Sequence, residues 1–311
     1  MASPLRDGTL LSVGTHRLFV RLGGIPRPPG HPLVVFVAGA GDVAASYCAV
    51  ARQVGAFAPL LLYDRTGLGR SEDSPTPTTS SATASAHELH TLLATAGLPP
   101  PYLLVGHSYG AIIAREYLHQ FPDDPHGMVL ADASTGRQPE LFDDPELDIA
   151  AVLGDLNFAR VTGLREHAQL SRDEWRTRAM EIARGGATWA AEQATLERVC
   201  RALQEKAQYT TQALGDRPLA VIRCHGSMEY RRVYEAGVAA GNGTVQQREA
   251  FARLLDRWDG MDRAMQEEQL RLSRRSRMVY LEDCGHQVHL VRPDVVAQEV
   301  RWVLERIKQR L

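Results

Sequence analysis

The chain has no uninterrupted run of about 18 apolar residues, the length that a membrane-crossing helix needs, so no transmembrane helix is expected. Cysteine is scarce. The four present (Cys48, Cys200, Cys224 and Cys284) are widely spaced and form no C-x-x-C pair. That pattern argues against a disulfide framework or a zinc site and for reduced, mostly buried thiols in an intracellular protein. An excess of one charge is also missing. The 35 Lys and Arg nearly cancel the 37 Asp and Glu, leaving a net charge of −2, unlike a polybasic nucleic-acid binder or an acidic solvating tail. The opening MASPLRDG has no apolar core of a signal peptide, so the expected location is the cytoplasm. What is present is ordinary for a folded chain. A 44% hydrophobic content over 311 residues excludes wholesale disorder and allows one large α/β domain with an insertion, or two small domains.

Short apolar runs recur at Pro32–Ala38, Ala58–Asp64, Tyr102–Gly106, Gly127–Ala131, Pro218–Cys224 and Arg277–Leu281. Each is continuous rather than alternating and is bounded by Gly, Pro or Asp, as strands buried on both faces of a parallel sheet are. Helical patterns at Ser85–Ala96 and Ala111–Gln120 fall between several of them and another, Pro293–Ile307, follows the last, which predicts a doubly wound α/β sheet. The alternating Gly8–Leu22 reads as an antiparallel hairpin at one sheet edge, and the Thr-, Ser- and Pro-rich Pro75–Ser85 as a surface loop. Residues 134–215 contain no strand-like run. Helical patterns at Asp173–Ala183 and Ala187–Leu214, broken at Gly185-Gly186, predict an inserted helical lid over a core of residues 1–133 and 216–311. A second helical excursion spans about 230–273. Its Asn242-Gly243-Thr244 matches a glycosylation sequon but reads as a Gly-rich turn.

Gly106-His107-Ser108-Tyr109-Gly110 fits G-x-S-x-G and sits between a buried-strand run and a helical one. A strand-to-helix turn this tight needs small flanking residues and lifts the central hydroxyl at the sheet's C-terminal edge, where a helix N-terminus favours negative charge. A serine hydroxyl needs a base within hydrogen-bond reach to act as a nucleophile. The last strand leads into Glu282-Asp283-Cys284-Gly285-His286, and the glycine lets the loop turn back toward the sheet edge. His286 is therefore the candidate base, with His289 its competitor. His107 is held by the turn and reads as a packing or pocket-lining side chain. Acyl transfer also needs amide donors for the developing oxyanion. Tyr109, next to the serine, and Ala40, in the Gly39-Ala40-Gly41-Asp42 loop after the first buried strand, are the candidates. His286 and His289 have no partnering cluster of metal ligands in the sequence, so no metal is expected.

Taken together, strand–GHSYG–helix, the AGAG loop, Asp64-Arg65-Thr66-Gly67-Leu68-Gly69-Arg70-Ser71 and Gly285-His286 ahead of Pro293 resemble the α/β-hydrolase fold family from about residue 30 to 307. The resemblance implies an eight-stranded, mostly parallel sheet, a Ser–His–acid triad in that family's chain order, no cofactor, and often a helical cap. The family's usual His-Gly before the oxyanion loop is Ala38-Gly39 here. Two positions are open for the acid. Asp132 follows the Gly127–Ala131 strand, where some members carry theirs. Glu229 ends Gly226-Ser227-Met228-Glu229, where the commoner G-x-x-D pattern has an aspartate. Asp132 is preferred as the more rigid strand-edge anchor, with support from the resemblance of Gln266–Ser273 to hydrolases that place the acid there. Each also has a plain reading, as a strand-end cap or as a first-turn acid of a helix.

The expected activity is hydrolysis of an ester, lactone or thioester of a medium-sized hydrophobic small molecule. Leu141, Phe142, Leu153, Leu156, Phe158, Trp175 and Trp189 are available to line an apolar pocket, although each could equally pack the lid itself. Acyl transfer, C–C cleavage or cyclisation on the same triad stays open, as does a non-catalytic ligand-binding role. Substrate identity and oligomeric state are not written in the sequence.

Overall fold

The computed structural model describes residues 8–75, 81–142 and 148–309. Each apolar run becomes a strand. In chain order the strands are β1 (Thr9–Ser12), β2 (Arg17–Gly24), β3 (Leu33–Val37), β4 (Pro59–Tyr63), β5 (Tyr102–His107), β6 (Pro125–Ala131), β7 (Leu219–Cys224) and β8 (Ser276–Leu281). They form one eight-stranded sheet in the order β1-β2-β4-β3-β5-β6-β7-β8. The N-terminal hairpin β1–β2 pairs antiparallel and continues antiparallel onto β4, while every pair from β4 to β8 is parallel. The expected doubly wound, mostly parallel architecture is thus present. Strands β3, β4 and β5 are buried along their whole length, as continuous apolar runs require. β8 is buried only at Leu281, because it forms the sheet edge.

The helices are α1 (Cys48–Gly55), α2 (Ala82–Thr95), α3 (Tyr109–Gln120), α4 (Gln138–Leu141), α5 (Ile149–Leu153), α6 (Phe158–Val161), α7 (Leu164–His167), α8 (Arg172–Arg184), α9 (Gly186–Glu205), α10 (Gly226–Ala239), α11 (Val245–Gln269), α12 (Val288–Val291) and α13 (Pro293–Lys308). One face of the sheet packs on α2 and α3 through residues such as Leu89, Leu104, Ile112 and Met128. The other face packs on α1 and α13 through Val50, Val105, Val300 and Val303. Each fully buried Leu or Val adds roughly 1.5–3 kcal/mol by leaving water, so these two layers hold the sheet.

Helices α4 to α9 fall between β6 and β7, where the sequence pattern puts the inserted lid. Gly185 separates α8 from α9 as expected, and Ser171 starts α8 with a reciprocal capping box that satisfies two terminal amides. The pattern read as a helix to Leu214 ends at Glu205 and continues as turns, with Ala207 and Gln212 at positive φ. The second excursion forms α10 and α11. These pack onto the inserted helices rather than standing apart, with Leu141 and Val152 joining Val233, Phe251, Leu254 and Trp258 in one cluster. The Asn242 amide donates to Leu153 O at 3.0 Å, and Thr244 caps α11. Of the expected surface loop, residues 76–80 lie outside the described residues, and Ser81 already caps α2. All four cysteines are free and buried. Among the described residues, no helix is long and apolar enough to cross a membrane.

Candidate active site

Ser108 stands at the junction of β5 and α3 with φ 51° and ψ −125°, a backbone conformation that side-chain-bearing residues rarely adopt. The flanking glycines are dictated by contact. A Cβ on Gly106 would lie 2.6 Å from Ala111 Cα, and one on Gly110 would lie 2.0 Å from Val37 O. The turn is therefore closed against β3, and strain is stored at the residue whose hydroxyl it presents.

Asp132 follows β6, also at positive φ (41°). Its Oδ1 accepts the Cys224 N–H at 2.9 Å, and its Oδ2 lies 2.6 Å from His286 Nδ1. Neighbouring β7 thereby fixes the carboxylate, and the carboxylate fixes the imidazole with Nε2 as its remaining nitrogen. Glu229, in the first turn of α10, is 4% exposed, and its Oε2 accepts the His286 backbone N–H at 2.8 Å. Both candidate acids therefore touch His286, Asp132 at the ring and Glu229 at the main chain. No hydrogen bond joins Ser108 Oγ to His286 in this structure, but the two side chains line the same cavity, of about 480 Å³. Serine–histidine contacts commonly tighten only when substrate is bound.

Of the other two candidate histidines, His107 lines the same cavity and His289 does not. His107 Nε2 bonds His286 O at 2.9 Å, and burial together with the nearby His289 and His286 rings holds its pKa well below the usual imidazole value. His289 is buried, stacked on Tyr47 at 4.3 Å, with Nε2 3.3 Å from Asp42 Oδ2. Asp42, His107 and His289 have potential ligand atoms within 4.8 Å of one another. The spread reaches beyond the roughly 3.4 Å separating donors around one tetrahedral zinc, and Asp42 and His289 already pair with each other.

Gly39, Ala40 and Gly41 line the cavity beside Ser108. The Ala40 N–H has no acceptor among the described residues, and neither has that of Tyr109, the first residue of α3. Among the lid side chains singled out from sequence, only Trp189 lines the cavity. Leu141, Leu153 and Phe158 pack on α10 and α11, Trp175 packs with Leu164 and Leu170, Leu156 is half-buried and Phe142 is exposed. Sequence reasoning missed Arg178, Ile182, Gln193, Tyr230 and Gln287, which complete the wall. Only Tyr230 and Gln287 carried a signal, as neighbours of Glu229 and His286 in the chain.

Burial opposes charging of His286, but the Asp132 hydrogen bond and the charges of Asp132, Glu229 and Asp262 outweigh it, so its pKa lies above the ordinary imidazole value. A base must be neutral to accept a proton, so with His286 as the base kcat/KM is expected to fall as pH drops through that raised pKa. Glu229→Gln removes one of the anionic neighbours and should move the acid limb to lower pH. A pH–rate profile with the limb unmoved or shifted upward would contradict this arrangement. Gly285→Ala tests the packing behind the imidazole, since a Cβ there would sit 2.0 Å from Glu229 Cδ. Overpacking of this kind costs about 1–3 kcal/mol, so Tm should fall by several degrees. Glu229→Ala in the same chain removes the clash, so the double variant should lose less Tm than the sum of the two single variants, as thermal unfolding would show.

The geometry is that of a strained serine, a carboxylate-held histidine and unpaired amides at the C-terminal edge of a parallel sheet. Residues 34–299 match the model of the alpha/beta hydrolase family, and the chain belongs to that family. An AB hydrolase superfamily protein of Gibberella zeae is 30% identical over 307 residues, covering 94% of this chain and 92% of the relative. A protein of Hormonema carpetanum described as a probable transporter, efuK, is 28% identical over 306 residues, covering 97% of this chain. The chain spans only 43% of that relative's length. Among solved structures, a thermophilic esterase from Thermogutta terrifontis superposes with a TM-score of 0.61 at 17% identity, covering 97% of this chain and 99% of the other, a likeness of fold.

Proposed function

We propose that the protein is a serine hydrolase that cleaves an ester, lactone or thioester of a small, partly apolar molecule. The observation that carries this reading is the 2.6 Å contact of His286 Nδ1 with Asp132, which leaves Nε2 as the free ring nitrogen of a side chain sharing a cavity with Ser108. In this reading Nε2 takes the Ser108 proton as Oγ attacks the carbonyl carbon, and Asp132 stabilises the imidazolium. The Ala40 and Tyr109 amides hold the oxyanion, each worth roughly 3 kcal/mol to the transition state. His286 then returns its proton to the leaving oxygen or sulfur. A water deprotonated by the same nitrogen attacks the acyl-enzyme, and collapse of the second tetrahedral intermediate frees the acid and restores Ser108. Trp189, Ile182 and Tyr230 offer the apolar wall, while Arg178, Gln193 and Gln287 give the cavity polar positions as well. The test is incubation with a fluorophosphonate and, separately, p-nitrophenyl esters of graded chain length. Covalent labelling at Ser108 with steady turnover is expected. Labelling without turnover would redirect the reading to acyl transfer or other chemistry on the same serine, and failure of both would overturn it.

A further inference from the structure

Arg65 follows β4, and Glu192 lies on the lid helix α9. Both are almost fully buried, at 3% and 1% exposure. Arg65 Nε donates to Glu192 Oε1 at 2.9 Å, and its Nη2 lies 2.8 Å from the same oxygen. The rest of the guanidinium is spent on main chain: Nη1 donates to Ala38 O at 2.6 Å and Nη2 to Gly39 O at 2.7 Å. The other oxygen of Glu192, Oε2, accepts the Gly41 N–H at 2.8 Å. Gly39 O also accepts the Asp42 N–H at 3.1 Å, which closes the loop as a turn.

These bonds fix the carbonyls of Ala38 and Gly39 and the amide of Gly41, and they leave the Ala40 N–H between them without a partner among the described residues. In a trans peptide the C=O of one residue and the N–H of the next point in opposite directions. Gly39 C=O and Ala40 N–H belong to one peptide plane. With Arg65 and Asp42 holding the Gly39 oxygen, the Ala40 N–H is turned to the opposite side of that plane, on a loop that lines the cavity with Ser108.

We infer that Arg65 and Glu192 are positioning residues for the oxyanion donor, and that the donor is correctly aimed only while α9 is seated on the core. This inference rests on the reading of Ser108 as a nucleophile for acyl transfer. Neither residue reaches the reacting atoms as the catalytic groups would. They act through the Gly39–Ala40 peptide, and Glu192 brings to it the position of a helix more than 120 residues away in the chain. Since a misplacement of about 1 Å can cost on the order of a hundredfold in rate, a small shift of the lid helix would be read directly as lost transition-state stabilisation.

The test compares the wild-type chain with Glu192→Gln, which keeps size and one acceptor, and with Arg65→Met. Two readouts are used. Amide hydrogen exchange should quicken at least tenfold in residues 38–42 of both variants while β5 and β6 keep their protection. An unchanged loop, or acceleration shared equally by the whole sheet, would overturn the inference. In p-nitrophenyl ester hydrolysis, kcat should fall about 10- to 100-fold with KM within about threefold. Affinity for a trifluoromethyl ketone, which mimics the tetrahedral adduct, should fall in parallel. Variants that keep kcat within twofold, or lose it only in proportion to their folded fraction, would also overturn it. Should Arg65→Met fail to fold, Glu192→Gln decides alone, because it leaves no bulky gap. If the wild-type chain neither labels nor turns over, the hydrolase reading falls, and exchange at residues 38–42 still decides whether the pair holds the loop.

Discussion

Ser108→Ala is expected to abolish fluorophosphonate labelling and to lower p-nitrophenyl ester turnover by about 10⁶ in kcat, with Tm changed by no more than a few degrees. On the proposed mechanism, the size follows from removing the nucleophile of a unit whose members act together, so that losing one costs nearly as much as losing all. The preserved stability follows from the structure. Alanine keeps the Cβ, the strained φ of 51° and the contacts of the turn, and Ser108 Oγ makes no hydrogen bond that the fold would lose. A variant that retains more than about a hundredth of wild-type kcat would remove Ser108 from the chemistry. One that unfolds would show instead that the hydroxyl carries the turn. Active-site titration and calorimetry on the same preparations separate the two.

Asp132→Asn is expected to cost about 10⁴ in kcat, whereas Glu229→Gln should cost less than about tenfold near the pH optimum. The asymmetry comes from where each carboxylate touches His286. Asp132 meets Nδ1 at 2.6 Å, so an amide in its place can present an N–H there and favour the tautomer with the proton on Nε2, which cannot act as base. Glu229 accepts a main-chain N–H at 2.8 Å, and a glutamine carbonyl can accept the same bond. A reversed order, with Glu229→Gln as the crippling change, would hand the orienting role to the other acid. The comparison should be made at matched fractional saturation and across pH, because Glu229→Gln also moves the acid limb.

Much of the fold was legible because its signals are local. Continuous apolar runs marked β3 to β8, and GHSYG shows its two glycines within five residues, although the one at 110 is required by the approach of β3. The acid was harder to read for a physical reason: Asp132 and Glu229 are both buried against His286, one by its ring and one by its backbone, and linear spacing carries no trace of which reaches which. The insertion between β6 and β7 was legible as helices but not as a wall. Side chains that pattern alone marked as pocket material, such as Leu141 and Leu153, pack against α10 and α11, while Arg178 and Gln193, polar and unremarkable in sequence, face the cavity. The Arg65–Glu192 pair left no sign, because partners so far apart in the chain meet only once the sheet and the insertion are assembled.

The seam between the two helical segments has its own consequence. Leu141 and Val152 come from the stretch before β7, while Val233, Phe251, Leu254 and Trp258 come from the stretch after it, and together they form one dry patch. This part of the core is therefore a joint built from segments on both sides of a single strand. Divergence toward a new ligand has to alter the two halves in step, since remodelling either one leaves the other with greasy surface facing water.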